Sequence, residues 1–548
     1  MNKKYFLILL ITLLAFSLRF YKITEVPPSL NWDEASIGYN AYSILETGRD
    51  EWGKLFPIHF KSYGEYKLPG QIYASIPGIL IFGLTPFGVR ITPVIYGTLT
   101  VLLVYLLGVI IFKDKRVGLI SALLMAISPW HIQLTRASFE SSLALMWVVL
   151  GMILLIKGFQ DRKWWIVSIL PFSLAIYTYN SARAFIPIFL IFSVVLYRKE
   201  LLKYKKYVLV SLTLFILLMI PLANFVYSGE GEARYKLVSV TDEAGLIPRI
   251  EERRNLTSLP TPIKELVHNR YSYVSFYVIN NYLSHFTPDF LFISGAGHSQ
   301  HHPQGIGQLY WIQAPFLLFG FYCLIKSKNR YSKLLIAWLL AAIIPVALTK
   351  DSIPHALRTL NAAPVYQIIT AYGFVTFINI KSKKKNLITF IIFGAVLLLV
   401  YQFLGYQHRL YNGYPNRYSR DWQYGYEQVV EYIEDNYNKY DLIVFTREYG
   451  EPHMFTLFYL KYPPGKFQND TNLERFETFD WVRVSRFDKF YFPDLGDEGT
   501  RIEDIININQ KKKLLFIGTE KEIPDEMKII KTINFLDGTR AFEVVEVI

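Results

Sequence analysis

The sequence predicts a mainly α-helical, polytopic membrane bundle of about eleven spans, with interfacial helices in the first outer loop and a C-terminal soluble α/β domain. Three observations predict it. Of 548 residues, 52% are hydrophobic and only 19% are charged, a balance too apolar for a soluble protein of this size. Apolar runs of span length recur from the N-terminus to about residue 406. Beyond that point the pattern changes to short apolar strands and one helical repeat, which divides the chain into a membrane part, 1–410, and a soluble part, 411–548.

A span needs about 20 mostly apolar residues, because the hydrocarbon layer is about 30 Å thick and a helix rises about 1.5 Å per residue. Eleven segments qualify: Tyr5 to Ile23, Arg90 to Phe112, Gly118 to Trp130, Ser138 to Phe159, Trp164 to Tyr179, Ala184 to Tyr197, Tyr207 to Tyr227, Leu309 to Lys326, Leu334 to Thr349, Pro364 to Ile380 and Leu387 to Tyr406. The first resembles a signal peptide but lacks a small-residue cleavage site before Arg19, Phe20 and Tyr21, so it reads as an uncleaved span. Within the soluble part, Glu427 to Tyr437 has helical spacing, Asp441 to Thr446 and Lys513 to Gly518 read as buried strands, and Ile533 to Val547 reads as a hairpin around Asp537 and Gly538.

The formal charge of +13 sits in short clusters between apolar runs, which is a topology signal and excludes a nucleic-acid partner. One further apolar stretch, Gln71 to Leu84, decides the orientation. If it does not span, the basic loops at Lys113/Lys115/Arg116, Lys157/Arg162/Lys163, Arg198 to Lys206, Lys326 to Lys333 and Lys381 to Lys385 all join Lys3 and Lys4 in the cytoplasm. Gln71 to Leu84 is therefore expected in the outer interface, broken by Pro77 and Gly78, with the N-terminus cytoplasmic and the C-terminal domain outside. The single cysteine, Cys323, allows no intrachain disulfide.

The outer loops carry the chemistry. The first, from about Thr24 to Val89, contains Asn31-Trp32-Asp33-Glu34 after Pro27-Pro28 and ahead of a helical pattern, so Asp33 sits near a helix start. It can cap that helix, or it can take the proton of an attacking hydroxyl. Glu140 opens the span after Arg136, and the two, four residues apart, can simply pair. Lys67, Arg136, Arg183 and Arg358 are cations at outer positions, with lipid headgroups as the plain alternative for Arg358. In Gly295 to Pro303, His298 and His301, with Glu65 of the first loop, supply possible ligands for a divalent metal, although the spacing fits no standard zinc pattern. Tyr271 to Phe292 is aromatic and amphipathic, as an interfacial helix would be.

The hydrophobic N-terminus, the Asp33-Glu34 pair opening a long outer loop, then Lys67-Leu68-Pro69, Phe82-Gly83 and Arg90, resemble the GT-C superfamily of lipid-phosphate-sugar glycosyltransferases. The nearest group is the protein O-mannosyltransferases and lipid A aminoarabinose transferases. The likeness covers roughly residues 1 to 410, and Lys67-Leu68-Pro69 stands where that family commonly has Lys-Pro-Pro. It implies an enzyme moving a sugar from a polyprenyl-phosphate donor to a glycan, lipid or protein acceptor on the outer face. Asp33, Glu34 and Glu140 would be catalytic, and Lys67, Arg136 and Arg358 would bind the donor phosphate. No cofactor is certain, and a divalent metal is possible. A transporter or flippase of lipid-linked sugars is the alternative, as is a non-catalytic scaffold displaying the C-terminal domain. The C-terminal domain suggests no chemistry of its own.

Overall fold

Backbone amides out of reach of water must bond within their own segment, which favours helix wherever the chain is continuously apolar. In the computed structural model, which describes residues 3–227, 239–242, 245–380, 385–478, 481–496 and 499–547, a helix covers each of the eleven predicted segments. Among the described residues four helices are long and apolar enough to cross a membrane alone: Pro86–Phe112, Glu140–Lys157, Lys205–Phe225 and Asn386–Tyr418. Others, such as Lys163–Ile176 and Ser332–Ala347, are apolar but shorter. The protein is an integral, multi-pass membrane protein. Lys381, Lys383 and Lys384 of the last basic cluster, and the opening of the fourth loop at 228–238, lie outside the described residues.

The chain divides into two compact units. The first comprises Met1–Arg19, Ile95–Thr135 and Glu140–Gln407, and it is helical. Its helices pack most closely where glycines remove the side chain. A Cβ on Gly373 would lie 2.0 Å from the Phe316 carbonyl oxygen, and one on Gly320 would lie 2.2 Å from that of Ile369. Helices Gln313–Lys326 and Ala363–Ile378 therefore touch backbone to backbone.

The second unit joins Phe20–Val94, Arg136–Phe139 and His408–Ile548. Its centre is a mixed seven-stranded sheet in the order Glu474–Thr478, Trp481–Phe487, Phe490–Tyr491, Leu442–Phe445, Leu514–Gly518, Arg540–Val547, Ile529–Asn534. Leu442–Phe445 runs parallel to both neighbours, and every other pair is antiparallel. Its four residues are all buried because both sheet faces are covered. Ile443 and Phe445 join the larger core, while Leu442 and Val444 pack with Ile502 and Ile505 of the helix Ile502–Ile508. The predicted hairpin forms, with Gly538 at a φ of +89° in its turn.

The first loop belongs to this same core. Helix Trp32–Thr47 contributes Ala35, Ile37, Tyr39 and Ile44 to the cluster that holds Val429, Phe455 and Phe458. Helix Pro69–Phe82, the Gln71 to Leu84 stretch, packs against it. Pro77 lies within this helix instead of breaking it. At position 78 glycine is required for contact, since a Cβ there would meet the Gly88 carbonyl oxygen at 2.3 Å.

Candidate active site

Helix Trp32–Thr47 begins with a capping box: the Asn31 side chain accepts from the Glu34 N–H at 2.9 Å, and the Asn31 N–H reaches back to the Glu34 carboxylate. Asn31 therefore caps the helix, and the Asp33 carboxylate is left for another purpose. Asp33 stays 42% exposed and receives a salt bridge from Lys67, whose side chain is 4% exposed. Lys67 is held by the short strand Tyr66–Lys67, paired with Phe60–Lys61, and its ammonium lies 6.0 Å from the centre of the Tyr63 ring. A buried ammonium pre-set on a half-exposed carboxylate, beside the positive end of a helix, forms a compact charged pair.

Glu34 is used differently. It is buried, and its two oxygens take a bidentate ion pair from Arg90, at 2.9 Å from Nε and 2.8 Å from Nη2, while Oε1 also accepts from the Ser138 N–H at 3.0 Å. The remaining donors of Arg90 reach the carbonyls of Ile23, Pro27 and Ser29. Arg136, also buried, donates to the carbonyls of Tyr21, Lys22 and Val26 and to the Tyr411 hydroxyl. Both arginines fold the start of the first loop around a fixed fork of donors, a task that suits guanidinium. The pairing of Arg90 with Glu34 spans 56 positions and has no local signal in the sequence.

Two further carboxylates in this unit are perturbed. Burial pushes Glu51 up to about 7, against the hydrogen bond from Asn40, and pushes Glu451 up to about 7, against that from the Trp481 indole. His453, 3.4 Å from Glu451, is brought down to about 3 by its own burial and by the cations Arg475 and Arg447.

The helical unit holds the other predicted residues. Arg358, 6% exposed, donates to the Thr349 hydroxyl at 2.9 Å and pairs with the exposed Asp351 at 3.1 Å. Burial raises the Asp351 carboxyl, but the Ser352 hydroxyl and Arg358 outweigh it and hold it below its ordinary value. His298 and His301 stack at 3.9 Å, and His301 lies 5.0 Å from His355. Beneath them, His285 accepts the His355 N–H on Nε2 at 2.9 Å and faces the Asn281 carbonyl with Nδ1, so its proton belongs on Nδ1; burial brings it down to about 4. Among the described residues no three His, Cys, Asp or Glu side chains are grouped to hold a metal ion. Glu140 stands in the first turn of Glu140–Lys157, where free amides favour a carboxylate. Glu65, in the second unit, precedes the strand that carries Lys67.

A family model, dolichyl-phosphate-mannose-protein mannosyltransferase, matches residues 9–231. Among solved structures, the chain is similar to ArnT from Cupriavidus metallidurans bound to undecaprenyl phosphate, at 11% identity and a TM-score of 0.57, covering 98% of this chain and 97% of that one. It is also similar to the oligosaccharyltransferase of Archaeoglobus fulgidus in complex with zinc and sulfate, at 15% identity and a TM-score of 0.52, covering 83% of this chain. The chain spans 61% of the length of that oligosaccharyltransferase. No curated protein matches it by sequence.

Proposed function

We propose that this chain, a GT-C superfamily protein by its fold and its mannosyltransferase match, transfers a sugar from a polyprenyl-phosphate donor to an acceptor on the outer face. One observation carries the reading: the half-exposed Asp33 carboxylate, relieved of capping by Asn31, is paired with a buried Lys67. In this reading the acceptor hydroxyl attacks the anomeric carbon and gives its proton to Asp33, while the bond to the phosphate oxygen breaks and polyprenyl phosphate leaves with inversion. Lys67 turns its charge from Asp33 to the phosphate as negative charge gathers there, and Arg358 is the second phosphate-binding cation. Glu140 is the assisting carboxylate. Glu34 and Arg136, both committed to the fold of the first loop, act as positioning residues.

The same reading assigns all eleven helices as spans, a cytoplasmic N-terminus and an extracytoplasmic C-terminal domain, with the parts divided as 1–410 and 411–548. The basic clusters between spans support that orientation. The acceptor is a glycan, a lipid or a protein.

The test is transfer from a radiolabelled polyprenyl-phosphate sugar by the full chain. Asp33→Asn is expected to abolish it with donor binding kept. Wild-type rates in that variant would remove Asp33 from the chemistry, and no transfer by the unaltered chain would favour transport of the lipid-linked sugar.

A further inference from the structure

The residue before Asp33 is held on both sides by distant parts of the chain. The N–H of Trp32, one of the amides that a helix start leaves without an intrahelical acceptor, donates to Gln423 Oε1 at 2.8 Å. The carbonyl of Trp32, which forms the peptide plane shared with Asp33, accepts from the Tyr63 hydroxyl at 3.1 Å. Gln423 donates onward to the Tyr449 carbonyl at 2.5 Å and adopts a φ of +56°, left-handed backbone that a residue with a side chain adopts only when its surroundings impose it. The Trp32 ring is fixed as well. It meets Tyr63 and Trp481 at 6.3 Å, those two rings stack 6.0 Å apart with planes at 14°, and a Cβ on Gly450 would fall 2.3 Å from the indole.

The peptide plane between Trp32 and Asp33 sets the direction in which the Asp33 side chain leaves the helix. We infer that Gln423 and Tyr63 are positioning residues for Asp33, acting through the two hydrogen bonds on Trp32, so that the C-terminal domain is part of the catalytic apparatus. This rests on the reading of Asp33 as the catalytic carboxylate. A carboxylate displaced by about 1 Å from an attacking hydroxyl can lose as much as 100-fold in rate, so removing one of two such bonds is expected to cost about tenfold.

Three variants of the full chain, with Asp33→Asn alongside, test it. Tyr63→Phe keeps the ring and its stack and removes only the hydroxyl. Gln423→Met keeps the length and removes the amide. Gln423→Glu keeps an oxygen for the Trp32 N–H but loses the donor to Tyr449. Transfer kinetics are expected to give a kcat about tenfold lower for Tyr63→Phe and for Gln423→Met with the donor KM unchanged, and a kcat largely restored in Gln423→Glu. If both first variants keep wild-type kcat where Asp33→Asn is inactive, the inference is overturned. It is overturned too if Gln423→Glu is as slow as Gln423→Met, because Gln423 then serves the Tyr449 backbone and not Trp32. Full activity in Asp33→Asn overturns the underlying reading instead.

Discussion

Replacing Arg90 by methionine removes one side chain and strands several groups at once. Glu34, whose side chain is 1% exposed, would keep a carboxylate with only the backbone N–H groups of Ser138 and Asn31 as donors. The carbonyls of Ile23, Pro27 and Ser29 would lose the guanidinium that gathers them. Breaking a buried ion pair from one side costs about 3–5 kcal/mol, most of it the uncompensated charge left behind. In a folding unit of this size about 1 kcal/mol moves the melting temperature by roughly 2–4 °C, so the sheet-containing unit is expected to melt roughly 6–20 °C lower. Detergent-solubilised protein followed by tryptophan fluorescence reads this directly, since Trp32, Trp422 and Trp481 all lie in that unit. The double variant Arg90→Met/Glu34→Met should recover part of the loss, because an apolar pair leaves no buried charge. A melting temperature for Arg90→Met within 2 °C of wild type, a margin about equal to the shift from 1 kcal/mol, would refute the claim that this pair holds the first loop together.

Two other outcomes follow from the same structure. Glu51 and Glu451 both sit at about 7 in the folded protein against an ordinary 4.5, so the folded state holds their protons more tightly than the unfolded chain does. Their stabilising contribution is fully present below about pH 4.5, is lost as pH rises to about 7 and is absent above it, on the order of 3 kcal/mol for each group; thermal melts from pH 5 to pH 8 should fall accordingly, and Glu451→Gln should flatten the slope. In the helical unit, Gly373→Leu drives a side chain into the Phe316 carbonyl and should prevent the close packing of Gln313–Lys326 on Ala363–Ile378, seen as loss of a monodisperse peak in size-exclusion chromatography, whereas Gly394→Leu, with nothing within 4 Å of a Cβ, should leave the peak unchanged.

What the sequence could convey follows from the range of each signal. Apolar length is local, so helices appear on all eleven predicted segments. Strands Leu442–Phe445 and Leu514–Gly518 were legible for the same reason, being short unbroken apolar runs at the centre of the sheet. Glu474–Thr478, at the edge of the sheet, and its neighbour Trp481–Phe487 were not, because these exposed and half-buried strands carry charges at Glu474, Arg475, Arg483 and Arg486 that hide the pattern. Inclusion of the first loop in the core of the sheet unit was equally invisible. Tyr39 and Ile44 look like any helical stripe until Phe455 and Phe458, more than 400 positions later, cover them.

The Asp33-Glu34 pair illustrates the limit most sharply, because the sequence offers two adjacent carboxylates and no means of telling them apart. Successive residues on a helix point about 100° apart, so two neighbours cannot serve one face. Glu34 occupies the third helical position, the one from which a side chain folds back onto the cap, and that same direction carries it to Arg90. Asp33, one position earlier, is turned out of that network and meets Lys67. The buried pair fixes the helix start, and the half-exposed carboxylate next to it can change partner while its backbone stays where it is. Interchanging the two by Asp33→Glu/Glu34→Asp preserves charge and composition but shortens the reach to Arg90 and lengthens the outward arm. It should therefore lower both the melting temperature and transfer; a double variant with unaltered stability and rate would mean that neither position depends on geometry.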